Sequence, residues 1–211
     1  MSNSKLVSYT KISPNSSART APISKITIHH MAVVNGSLEG VGNTFAKSST
    51  QASSNYGIDS NGKIALYVDE SRRAWTSSNQ ANDNVAITIE VANSKGAPNW
   101  EVSDKALAAL IDLCVDICKR NNIKEINYTG DATGNLTRHN MFTATTCPGP
   151  YLQSKFPYIA ETVNKRLKND GAAANKNTIY RVQVGAFSKK ENAENMLKKL
   201  KADGYTDAFI K

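Results

Sequence analysis

Residues 25–30 alternate, with Ile26 and Ile28 on one side and Thr27 and His29 on the other, and this period of two predicts a strand. Residues 38–47 carry apolar positions at helical spacing and predict a short helix. Tyr56-Gly57-Ile58 and the run from Lys63 to Val68 flank Asn61-Gly62, a pair that accepts positive φ and predicts a two-residue hairpin. Residues 85–91 are almost continuously apolar and predict a buried strand. Ser103 is placed to cap a helix on which Leu107, Leu110, Ile111, Cys114, Val115 and Cys118 form one stripe, so this helix packs on the sheet. Cys114 and Cys118 are spaced either as a metal-binding pair or as small thiols filling the core. Residues 128–150 are rich in Thr, Gly and Asn and predict a long loop, of the kind that in compact domains usually carries function. Pro157 is a starting residue for a further helix through Ile159, Val163 and Leu167.

The pattern changes after residue 168. Residues 169–178 are small and polar, as a linker should be, and residues 179–187 alternate as a strand. Ser188 then reads as a cap with Glu191 at the third position of a helix whose apolar face is Ala193, Met196, Leu197 and Leu200. Residues 205–210 read as a returning strand. The expected architecture is an α/β domain over 1–168 with a mixed central β-sheet flanked by helices, a linker over 169–178, and a small β-α-β unit over 179–211. A unit of that size is too small for a lone core and needs a partner surface.

Composition adds limits. The chain has 211 residues, 40% of them hydrophobic, enough for a sizeable core. No apolar run approaches the roughly 20 residues of a membrane span, and Met1 to Leu6 lacks a secretory core, so the expectation is synthesis in the cytoplasm without membrane insertion. A net charge of +8 favours polyanionic partners, nucleic acid or an anionic cell wall. The sequence offers no zinc-finger spacing, recognition helix or aromatic ribonucleoprotein motif, so nucleic acid is set aside. Three cysteines do not make a disulfide framework and are read as reduced thiols.

The three histidines are the candidate chemistry. His29 and His30 are strand neighbours and point to opposite faces, so one at most enters a given pocket, and the polar face shared with Thr27 favours His29. His139 lies in the predicted loop, eight positions before Cys147 of Cys147-Pro148-Gly149-Pro150. Two histidines and one cysteine match an open zinc site, whose fourth position is kept for water or substrate. Glu90 lies inside an apolar strand, where a carboxylate is costly unless paired or functional.

Ile28-His29-His30 on an early strand, followed after a long helix by His139 and the Cys-Pro-Gly-Pro turn, resembles the zinc-dependent N-acetylmuramoyl-L-alanine amidases of the amidase-2 type. That group includes phage endolysins, bacterial autolysins and animal peptidoglycan recognition proteins, and the resemblance covers residues 20–168. It implies Zn²⁺ held by His29, His139 and Cys147, with Glu90 assisting the attacking water. Thr145 stands where many relatives carry a lysine that polarises the substrate. Asn55 and Tyr56 fall near a segment that lines the pocket in relatives, and Trp75 either stacks on substrate or fills the core. The implied reaction is hydrolysis of the amide between the lactyl group of N-acetylmuramic acid and L-alanine in peptidoglycan, by an endolysin or autolysin that reaches the wall after release. A non-catalytic peptidoglycan-binding protein is the alternative, and Cys147 weighs against it, because the binding-only members typically lack that ligand. Tyr180 to Phe187 and the helix after them resemble the first half of a SPOR repeat, a glycan-binding β-α-β-β-α-β module. A half-module implies a homodimer in which two chains complete one sheet.

Overall fold

The computed structural model describes residues 2–174 and 182–210, the side chains of 170–174 excepted. The chain divides into two units, Met1–Ala173 and Ala174–Lys211. The first is built on a six-stranded sheet whose strands are β1 (Val7–Thr10), β3 (Lys25–Val34), β4 (Tyr56–Ile58), β5 (Ile64–Leu66), β7 (Ala86–Asn93) and β8 (Leu136–Arg138). Their spatial order is β1-β5-β4-β7-β3-β8, parallel throughout except for the β4–β5 hairpin. A separate antiparallel pair joins β2 (Ser16–Ala18) to β6 (Arg72–Ala74). The helices are α1 (Leu38–Phe45), α2 (Gln80–Val85), α3 (Asp104–Arg120) and α4 (Pro150–Ala174).

The two central strands sort their side chains by parity. Ile26 and Ile28 of β3 and Ile87, Ile89 and Val91 of β7 share one core with Leu107, Leu110 and Cys114 of α3 and Leu152, Phe156 and Ile159 of α4. Successive strand residues face opposite ways, so Thr27, His29, Thr88 and Glu90 lie on the other face. The alternation that predicts β3 therefore also decides which face holds chemistry. Cys114 and Cys118 are fully buried in the α3 core, and burial pushes both thiols up, as fits packing residues.

Several boundaries differ from the sequence expectations. The β4–β5 turn is not a two-residue loop: Asp59 N–H donates to Lys63 O at 3.0 Å, and Gly62 alone in the turn takes positive φ, at 82°. The Asp59 carboxylate accepts from the Asn61 and Lys63 amides, and this side-chain turn outcompetes the tighter one. Strand β8 lies within the segment read as a loop, because three residues are too few to show a period. Pro150, not Pro157, opens α4, and Pro157 sits inside it. A first helical position costs proline nothing, since that N–H has no partner in a helix anyway. Helix α4 runs on to Ala174, through the first part of the segment read as a linker; residues 175–178 lie outside the described residues.

In the second unit, α5 (Lys190–Ala202) falls where the apolar stripe places it, but its N-cap is Lys189, not Ser188. Residues 182–187 and 205–210 form no strands among the described residues, and 179–181 lie outside them. An extended segment becomes a strand only where a neighbour takes its N–H and C=O groups. Val182, Val184, Phe187, Tyr205, Phe209 and Ile210 are exposed. Among the described residues no helix is long and apolar enough to cross a membrane.

A buried ion pair locks β4 to α3 and the start of the chain. Glu70, 1% exposed, accepts from Arg120 Nη1 and Nη2 at 2.8 and 2.7 Å and from the Tyr56 hydroxyl at 2.5 Å. Arg120 also donates to Asp116 at 2.8 Å, and the Ser4 N–H donates to the Tyr56 oxygen at 2.9 Å. Removing one partner leaves the other charge buried and unpaired, so Arg120→Met should cost about 3–5 kcal/mol of unfolding free energy. Urea melts of the variant check this, and a loss below about 1 kcal/mol would mean that solvent reaches Glu70.

Candidate metal centre

Three elements meet on the polar face of the sheet. Strand β3 presents His29, the short 3₁₀ turn after β8 presents His139, and the turn before α4 presents Cys147. One ligand atom from each lies within 4.8 Å of the other two. His29 Nδ1 is 3.7 Å from Cys147 Sγ, and the two imidazole rings are 4.5 Å apart between centroids. A tetrahedral zinc with ordinary Zn–N and Zn–S bonds would hold a nitrogen and a sulfur about 3.6 Å apart, so this spacing suits one shared ion.

The electrostatics agree. Burial, then the neighbouring rings of His139 and His30, hold His29 well below its usual pKa, and burial likewise lowers His139. Both imidazoles are therefore neutral, the form that binds metal. Burial, then the charge of Glu90, pushes the Cys147 thiol up, a shift that a bound cation reverses by stabilising thiolate. His139 Nε2 and Glu90 Oε2 are buried without a hydrogen-bond partner, as is His29 Nε2 on the side of its ring away from the Nδ1 that faces Cys147. Unpaired buried polar atoms are costly unless something else engages them, and the donor set of two imidazoles and one thiol fits zinc.

Glu90 is opposite His29 in the β3–β7 register, with Oε1 4.0 Å from His29 Nδ1. Burial raises its carboxyl to about 8. Thr145 is half-buried, and its Oγ1 accepts from the Cys147 N–H at 3.2 Å, shaping the ligand turn. The other expected pocket residues are engaged with the fold itself. Asn55 is fully buried; its amide donates to the Val68 carbonyl at 3.2 Å and its Oδ1 accepts from the Thr88 N–H at 3.1 Å. Tyr56 is fully buried with its hydroxyl on Glu70, so neither side chain has a surface to offer a substrate. Trp75 is half-buried, with Nε1 donating to Ser17 Oγ at 3.2 Å on the β2–β6 ribbon.

The sequence reading missed a row of hydroxyls beneath the site. Thr137, Thr27 and Thr88 are in register across β8, β3 and β7, all fully buried. Thr27 and Thr137 share a hydrogen bond of 2.9 Å, Asn82 Nδ2 donates to Thr27 at 2.9 Å, and Thr76 and Thr88 hydroxyls are 2.8 Å apart. Thr137, Thr27 and Thr88 stand two positions before His139, His29 and Glu90, respectively. The period of two that singles out His29 also points to them.

Comparison with known proteins adds the family. The profile described as N-acetylmuramoyl-L-alanine amidase (amidase-2) matches residues 19–150, and the SPOR domain profile matches residues 160–211. A search of curated protein sequences gave no match. Among solved structures, PlyL superposes with a TM-score of 0.58 at 17% identity, covering 74% of this chain and 95% of that one. The amidase LysC from Clostridium intestinale gives 0.52 at 22% identity over 77% of this chain and 95% of its own. The Drosophila peptidoglycan recognition protein SA gives 0.55 at 18% over 70% and 90%. At these identities the structures establish a shared fold, and the profile match across most of the first unit establishes descent: the chain belongs to the N-acetylmuramoyl-L-alanine amidase family.

Proposed function

We propose that the protein is a zinc-dependent N-acetylmuramoyl-L-alanine amidase that hydrolyses the amide between the lactyl group of N-acetylmuramic acid and L-alanine, in cell-wall lysis of the endolysin or autolysin kind. The observation that carries this reading is the convergence of His29, His139 and Cys147 beside Glu90, its neighbour in the sheet register. Zinc held by these three residues supplies Lewis acidity and eases the ionisation of water. Glu90, with one carboxylate oxygen unpaired, takes a proton from the attacking water and returns it to the departing amine of L-alanine. Thr145 keeps its hydroxyl hydrogen free after accepting from Cys147, and directs it as a hydrogen bond at the oxygen that gains charge.

Digestion of purified walls tests the reaction. New L-alanine amino groups are expected; new reducing sugar ends in their place would make the enzyme a glycosidase. The SPOR match and the exposed apolar side chains of the second unit support a role for it in holding glycan, in pairing two chains, or in both. Ending the chain at Ala174 should reduce pelleting with walls and leave cleavage of a small soluble muropeptide intact, with light scattering of both forms reporting whether pairing is lost as well. Undiminished wall binding by the shortened chain would remove the second unit from targeting.

A further inference from the structure

His30, Asn93 and Trp100 take no part in the proposed chemistry, although all three gather behind Cys147. His30 follows a proposed zinc ligand directly, but its ring lies on the opposite, helix-covered face and is 6% exposed. Its backbone N–H is directed at Cys147 Sγ, at 3.4 Å. Its ring meets Trp100 edge to face, with centroids 5.4 Å apart and planes at 85°.

Between them sits Gly149, two residues past the ligand and at φ 85°. A Cβ on Gly149 would come within 3.0 Å of Trp100 Cβ and 3.3 Å of His30 Cε1 and Nδ1, so the turn is wedged against both side chains. Trp100 is itself held in the left-handed region, at φ 53°, which disfavours a bulky side chain. The surrounding bonds fix it there: Asn93 Nδ2 donates to Trp100 O at 2.8 Å, and Trp100 N–H to Gly96 O at 3.0 Å. Tyr151 N–H donates to Asn99 O at 3.1 Å and ties the same loop to the first turn of α4. His30 Nδ1 and Asn93 Oδ1 are both buried without a hydrogen-bond partner among the described residues.

We infer that His30 is a positioning residue for the third metal ligand: wedged against Gly149 together with Trp100, whose carbonyl Asn93 holds, it keeps the Cys147 turn where the sulfur meets the His30 N–H beside His29. The same dipeptide thus serves the centre twice, His29 through its ring and His30 through its backbone and packing. A hydrogen bond to a coordinating sulfur and a fixed ligand turn tune metal affinity from outside the ligand set.

This inference rests on the zinc reading and is tested on metal binding, not on turnover. Zinc affinity of the full chain is measured by competition with a chromophoric chelator, alongside the sulfur-to-metal absorption band of the cobalt-loaded protein and the melting temperature of the metal-free protein. His30→Ala should bind zinc about 10–100-fold more weakly and shift the cobalt band. Trp100→Leu, which alters the half-buried side of the wedge, should act in the same direction. A folded His30→Ala with wild-type affinity and an unshifted band would overturn the proposal even if it melts lower, since lost packing alone predicts that pattern. Should His30→Ala fail to fold, Trp100→Leu decides by the same two readouts. A wild-type protein that takes up no zinc would overturn the zinc reading along with this one.

Discussion

Cys147→Ser is expected to lose about 10³-fold or more in kcat/KM on wall substrate, equivalent to roughly 4 kcal/mol of transition-state stabilisation. Serine keeps the size and the turn but replaces a polarisable thiolate with a hydroxyl that seldom ionises, and only two imidazoles then remain to hold the ion. Burial of Cys147 sharpens the expectation, because solvent is poorly placed to replace the missing ligand. Chelation of the wild type should produce the same loss, reversible with added zinc. A thermal readout separates binding from chemistry: a ligand that binds only the folded state stabilises it by about 2.7 kcal/mol at one hundred times its dissociation constant. Zinc should therefore raise the melting temperature of the wild type and leave that of Cys147→Ser nearly unchanged. Full activity in the presence of a strong chelator would end the metal reading.

Glu90→Gln should keep zinc and lose about 10²–10⁴-fold in kcat, the range carried by a positioned acid–base group. Glutamine preserves shape and hydrogen bonding but cannot accept the proton of water at neutral pH. The structure adds a second expectation. Burial holds the Glu90 carboxyl near 8, with no hydrogen-bond partner for Oε2, so the folded protein bears a desolvation cost at this position. The metal-free variant should accordingly melt at the same temperature as the wild type or higher, a stability gain at the expense of function. A kcat within about threefold of wild type would remove Glu90 from proton transfer. A large loss of zinc affinity would instead make it part of the metal site.

The two expectations draw on different parts of the fold. The cysteine arrives on a turn between β8 and α4, whereas Glu90 and His29 are fixed by the ladder of two central strands. That ladder is parallel and buried, and its register sets His29 directly opposite Glu90. The Cys147 arm depends on the packing of a turn, where His30, Trp100 and Gly149 meet.

Much of this was written locally. Strand parity assigns His29 to the polar face and His30 to the apolar one, because a period of two is a property of the backbone and needs no neighbour. The apolar stripe from Leu107 to Cys118 and the N-cap Ser103, whose hydroxyl accepts from Ala106 N–H at 3.1 Å, determine α3. The motif pair names His29, His139 and Cys147 as candidate ligands, since metal chemistry restricts residue type sharply, and the fold brings the three within reach of one ion. Three matters were decided only by tertiary structure. Asn55 and Tyr56 look like pocket residues until the fold turns them inward onto Thr88 and Glu70, because a polar side chain in sequence does not reveal its hydrogen-bond partner. Strand β8 exists because β3 offers it an edge, although its three residues carry no pattern of their own. The hydroxyl row and the wedge behind Cys147 join residues more than fifty positions apart, as Thr27 with Thr137 and His30 with Gly149. Local chemistry determined which residues are able to bind metal and move protons; long-range packing decided which of their neighbours hold them in place.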